Sequence, residues 1–181
     1  MHVSNRDDAA SPNVIIDGDL TADGDLTVDC EAGTTGFFVL VTGTLRARNV
    51  FLSGVPKLIV RGDLIVTNGL QGRLGEGSGY LEVYGVTTAR IVVNTTYFRM
   101  RFRGPVQAVV AGDADFTSCS VDYPTETDFN NALRPGLRDD RVDLRDNAIT
   151  EALRDGRPIL RQTVAPRHLP GARRPGPAVR V

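Results

Sequence analysis

The chain has no tryptophan and only two cysteines and two histidines among its 181 residues, and these scarcities remove several kinds of chemistry at the outset. Cys30 and Cys119 fall at opposite ends of the fold argued below, where a bridge is implausible, so both are read as reduced thiols. His2 and His168 stand in polar terminal segments, which leaves no placed imidazole beside a nucleophile. An excess of either charge is missing as well: the net charge is −1, so no global field recruits nucleic acid or an anionic membrane. No apolar run approaches the about 18 residues of a membrane span, and Met1-His2-Val3-Ser4-Asn5-Arg6-Asp7-Asp8 lacks the apolar core of a signal peptide. A cytoplasmic protein without a membrane span is the expectation.

What is present is a repeat. In Leu58-Ile59-Val60-Arg61-Gly62-Asp63-Leu64-Ile65-Val66-Thr67 the residues at even offsets from Gly62 are Leu58, Val60, Leu64 and Val66. Two short strands of period 2 thus share one apolar face and meet at a glycine corner. Looser copies are Val14–Gly18, Val39–Gly43, Leu81–Gly85 and Ala108–Gly112. The corner glycines recur at roughly 19 to 27 residues, within the about 20 to 50 of repeat architectures. The residues that follow them are Asp19, Thr44, Asp63, Val86 and Asp113, so no two carboxylates become neighbours if the coils stack in order. A single coil cannot bury its apolar side, and stacking at about 4.8 Å is therefore required.

These observations predict a mainly β, single-domain parallel β-helix, a β-solenoid of about five coils over residues 14–119. Residues 1–13 read as a flexible leader. Val50-Phe51-Leu52 supplies a third apolar side to the second coil. After Cys119 the repeat stops, and residues 120–161 are expected to form a short α-helical C-terminal cap over the last coil. Its helices are placed at Asp128–Leu133 and Asp143–Leu153, the second with Leu144, Ala148, Ile149, Ala152 and Leu153 on one face and Gly156 past its end. Residues 162–181, rich in proline and arginine, have little to bury and read as a disordered tail.

Three motifs invite a chemical reading and fail its requirements. Asp-Gly-Asp-Leu-Thr occurs twice between Asp17 and Thr27, but without the ligand spacing or closing glutamate of a calcium loop, so no metal is expected. Gln71–Gly79 is glycine-dense, yet it lacks the lysine and hydroxyl of a phosphate loop and leads into a strand, so it is expected to be a flexible loop and no cofactor is implied. Asp113, Asp115 and Arg90 imitate the acid and base groups of carbohydrate-active β-helix enzymes, but five coils leave little room for an oligosaccharide cleft.

The segment Tyr97–Gly104 alternates strictly, which turns Phe98, Met100 and Phe102 inward and Arg99, Arg101 and Arg103 outward at roughly 7 Å intervals. Outward arginines keep a strand soluble and discourage edge pairing. They also make a stripe for an acidic protein surface, with Tyr84 and Tyr97 nearby, because arginine and tyrosine are favoured at interface hot spots. These five residues are the candidate protein-binding site.

The blocks Val14-Ile15-Ile16-Asp17-Gly18-Asp19-Leu20-Thr21-Ala22 and Leu58–Val66 resemble the bactofilins, bacterial polymer-forming cytoskeletal proteins with a short parallel β-helix. The resemblance spans about residues 14–117 and implies a scaffold that self-associates. Longer coils and a C-terminal helix depart from the bactofilin pattern. In Gly79–Gly85 and the ending Leu153-Arg154-Asp155-Gly156 the layout is similar to bacterial solenoid proteins, some of which accompany polymorphic toxins, and this implies an immunity role. The expected function is therefore a non-catalytic protein-binding module, either a scaffold or a toxin-neutralising immunity protein. The alternative is a small carbohydrate-active β-helix enzyme.

Overall fold

The computed structural model describes residues 1–5, 13–30, 36–73, 79–95, 97–112, 117–118 and 131–161. The chain winds as a three-sided parallel solenoid. The first coil comprises β2 (Val14–Ile16), β3 (Leu20–Thr21) and β4 (Asp25–Cys30), preceded by β1 (His2–Asn5). The second has β5 (Phe38–Val41), β6 (Leu45–Ala47) and β7 (Asn49–Gly54); the third has β8 (Lys57–Val60), β9 (Leu64–Val66) and β10 (Gly69–Arg73). In the fourth, β11 (Tyr80–Val83) is followed by the continuous β12 (Thr87–Asn94), and in the fifth β13 (Arg99–Phe102) by β14 (Val106–Gly112). Then β15 (Thr117–Ser118) adds to the stack.

One file along the axis runs Val14, Val39, Leu58, Leu81, Met100, each paired in parallel with the next. The five strands of that file bound about four complete turns. Strands β2, β5, β8, β11, β13 and β15 form a six-stranded sheet, the first face. The second and third faces belong to one nine-stranded sheet because β12 and β14 run through the corner between them. Leu45, Val41, Leu58, Val60, Leu64, Leu70, Leu81 and Val83 are fully buried in the shared core. Burial of each such side chain stabilises the stack by roughly 1.5–3 kcal/mol against an extended chain.

The corners are as tight as the repeat implied. A Cβ on Gly43 would meet the Gly18 carbonyl oxygen at 2.7 Å, one on Gly62 that of Gly43 at 2.6 Å, and one on Gly85 that of Gly62 at 2.5 Å. The fifth corner is Gly104, not Gly112: its Cβ would lie 2.2 Å from the Gly85 carbonyl oxygen. Two repeating glycines compete in that coil, and the backbone pairing selects the one that follows the strictly alternating strand. Gly112 instead ends the third face, with φ +119° and its hydrogen atoms against the Asn94 carbonyl. Carboxylates alternate with other residues at the corners for a reason the pattern contains: Asp19 accepts the Thr44 N–H at 2.7 Å and Asp63 accepts the Val86 N–H at 2.8 Å. Each spans one stacking step.

Two expectations about the polar segments change. Residues 2–5 form β1 along β4, within the segment read as a leader, because Val3 packs on the core and the terminal ammonium donates to the Asp25 carbonyl at 2.7 Å. Gln71–Arg73, expected within a loop, end β10 instead; residues 74–78 lie outside the described set. Residues 6–12 of the leader, Cys119, residues 128–130 of the first expected helix and the 162–181 tail also lie outside it. Cys30 is buried.

A helix, α1 (Val142–Arg154), follows a 3₁₀ turn at Pro135–Leu137. It ends where Gly156 takes φ +69°, with the Gly156 N–H donating to Leu153 and the Arg157 N–H to Ala152, a Schellman closure. The helix does not lie across the last coil. It packs on the flank, against β7 and β10, where Ile149, Ala152 and Leu153 join Phe51, Ile91, Val93, Leu133 and Ile159 in a second core. Gly69 permits this approach, since a Cβ there would lie 2.6 Å from a Leu153 methyl. No helix among the described residues is long and apolar enough to cross a membrane.

Candidate functional site

The outward side chains of the first face form a grid fixed by register. Successive strands start with Phe38, Lys57, Tyr80 and Arg99 in one row. The middle row is Ile15, Leu40, Ile59, Glu82 and Arg101. Beyond the strand ends, the pairing continues through backbone N–H groups of Thr42, Arg61, Tyr84 and Arg103, which extends a third row from Asp17 to Arg103. Alternation along each strand turns all of these away from the core, and neighbours in a row stand about 4.8 Å apart.

Arg99, Arg101 and Arg103 therefore share one exposed edge of the grid, as their spacing predicts. Two of them have a partner: the Glu82 carboxylate on β11 accepts from Arg103 at 2.8 Å and lies 3.8 Å from Arg101. The pairing is partly exposed and contributes within about 1 kcal/mol. Tyr84 stands in the row of Arg103, and the Arg61 guanidinium sits 4.7 Å from its ring centre. Tyr97 does not join it. That residue is exposed in the turn before β13, at the opposite end of the strand, and holds φ 63°, a left-handed conformation unusual for a side chain of its size.

Sequence reasoning missed Lys57, Arg61 and Tyr80, which complete the outer rows. Each outer row then alternates cation, tyrosine, cation: Lys57, Tyr80, Arg99 in one and Arg61, Tyr84, Arg103 in the other. The signal was available at odd offsets from each corner glycine, once the fifth coil is aligned on Gly104. Burial, then the neighbouring Glu82 carboxylate, pushes the Tyr80 phenol above its ordinary value, so it remains a neutral hydrogen-bond donor.

The carboxylates of the first coil are engaged elsewhere. Asp17 accepts from the Thr42 hydroxyl at 2.9 Å, Asp19 from Arg46 at 3.0 Å, and Asp25 from Asn49 at 2.8 Å, while Asp29 meets His2 at 2.5 Å. These contacts bind coil to coil. No group of three or more His, Cys, Asp or Glu among the described residues is placed to hold a metal ion. Of the enzyme-like trio, Arg90 is exposed on β12 and Asp113 and Asp115 lie outside the described residues. A comparison of the chain with protein-family models, curated proteins and solved structures finds no match.

Proposed function

We propose that this chain is a non-catalytic solenoid that acts by protein contact, either as a scaffold subunit of the bactofilin kind or as an immunity protein that neutralises a toxin. The supporting observation is the contrast between flanks. The outer side of the third face is occupied by α1, whereas the first face presents exposed arginines, an exposed Tyr84 and a half-buried Tyr80 that no described element covers. A cationic, aromatic sheet surface has the composition of an interface.

The two forms make opposite demands on assembly. A scaffold subunit gives a sedimentation coefficient that climbs with concentration into polymeric species. An immunity protein stays at one small size and forms a stoichiometric complex with the product of a neighbouring gene. Sedimentation velocity over a wide concentration range, with and without that product, separates them, and a chain that neither self-associates nor binds it would overturn the proposal.

A further inference from the structure

The first face is graded along the solenoid axis. Its outward residues are Ile15 and Asp17 in the first coil, then Phe38, Leu40 and Thr42, then Lys57, Ile59 and Arg61. The fourth coil adds Tyr80, Glu82 and Tyr84, and the fifth Arg99, Arg101 and Arg103. The surface thus carries no cation in the first two coils, gains Lys57 and Arg61 beside Ile59 in the third, sets two tyrosines around Glu82 in the fourth, and is wholly cationic in the fifth. Five cations stand against the carboxylates of Asp17 and Glu82, a balance of +3 on a chain whose total is −1. Positive charge is concentrated here, whereas the other described residues carry cations and carboxylates in equal number.

The third face shows what such a surface receives in this same fold. There Phe51, Ile91 and Val93 form an outer apolar patch beneath α1. Arg48, Asn49 and Asn68 meet the carbonyl end of that helix, the two asparagines donating to Leu153 O at 3.2 and 3.0 Å and Arg48 to Arg154 O. On the first face the aliphatic strip Ile15, Leu40 and Ile59 has no described segment over it, and Ile15 is 66% exposed. Its polar rim is cationic, so complementarity calls for carboxylates.

We infer that the first face docks an acidic amphipathic segment of another protein. Its apolar residues lie on Ile15, Leu40 and Ile59, and its carboxylates lie among Lys57, Arg61, Arg99, Arg101 and Arg103. The inference rests on the protein-binding reading and gives it a partner chemistry and a polarity. A continuous polyanion fits less well, because the Glu82 carboxylate stands in the middle row among the cations. A second copy of the chain also fits less well, since the aspartates of its first coil already accept bonds from Thr42, Arg46, Asn49 and His2. The five strands of the face from β2 to β13 span about 20 Å, the length of a helix of about 13 residues.

The test uses the full chain and a labelled helical peptide of about 15 residues, with leucines on one side and glutamates on the other, followed by fluorescence anisotropy. The expected result is saturable binding that weakens at least tenfold in the Lys57→Glu/Arg99→Glu variant and at least tenfold for the same peptide with lysine replacing glutamate. These two residues are exposed and outside the Glu82 pairings, and an unchanged circular dichroism melt verifies the fold. Leu40→Asp serves as a second variant, removing the aliphatic end without touching a cation. Binding that ignores both variants overturns the inference, as does displacement of the peptide by heparin or by anionic vesicles. If the chain binds itself or the neighbouring gene product with undiminished affinity in Lys57→Glu/Arg99→Glu, the protein-binding reading stands and this docking face falls. If no protein contact is found, the reading itself falls.

Discussion

The first and third faces are built by the same coils and differ in what lies outside them. On the third face β7 is buried along nearly its whole length, and residues 91–94 of β12 are buried without interruption. On the first face β5 and β13 alternate strictly between turned-in and turned-out positions. A sheet covered on both sides reads as a continuous apolar run, and one covered on a single side reads as an alternation. Val50-Phe51-Leu52 and Ile91-Val92-Val93 therefore announce a second layer, and Arg99-Met100-Arg101-Phe102 announces its absence. The lesson is that each side of a solenoid carries its own covering instruction, independent of the core that all sides share.

The largest way to break this comparison is to remove the contact that seats α1. Leu153→Ala deletes a buried side chain that packs over Gly69, and is expected to cost roughly 2–5 kcal/mol in urea unfolding. Leu40→Ala on the first face is expected to stay within about 0.5 kcal/mol of the parent. Equal losses at the two positions would mean that the first face is covered too.

A smaller effect probes the polar half of the same seat. Asn49 is fully buried; its amide donates to Asp25 Oδ1 and Leu153 O, and its oxygen accepts from Gly69 N and Asn68. Asn49→Ala strands those partners and is expected to cost about 1–3 kcal/mol. The Lys57→Glu/Arg99→Glu variant, which breaks neither Glu82 ion pair, is expected to keep the free energy of urea unfolding within about 0.5 kcal/mol of the parent.

The smallest effect concerns a corner next to the first face. The Thr44 N–H bond, then Arg46, holds the Asp19 carboxyl below its ordinary pKa of 3.8. Its contribution to stability is therefore complete above that value and is lost as pH falls below it, through the folded-state value. Asp19→Asn is expected to be less stable than the parent near pH 6, with the gap narrowing below about pH 4. Urea midpoints measured at several pH values check the sign, and a gap that widens in acid would contradict it.

The stacking itself was legible because it depends on two strong local signals, a glycine at the corner and period 2 on either side. The fifth coil was misaligned because Gly104 and Gly112 both end apolar alternations, and only backbone pairing distinguishes them. The helix was readable from Ala148, Ile149, Ala152 and Leu153. Its place on the flank was not, because the acceptor surface is scattered over Phe51, Gly69, Gln71, Ile91 and Val93 in three different coils. The same dispersion hid Lys57, Arg61 and Tyr80 from the candidate site, whereas Arg99, Arg101 and Arg103 fall in one strand and show themselves.

Thiol accessibility tests the contrast between the flanks most directly. In a Cys30→Ala/Cys119→Ser background, single cysteines are placed at Ile59 on the first face and at Ile91 on the third, and their rates of reaction with a maleimide are compared. Ile59→Cys is expected to react at nearly the rate of a free thiol, and Ile91→Cys at least a hundredfold more slowly until Leu153→Ala loosens the helix. Matching rates in the folded protein would contradict the account.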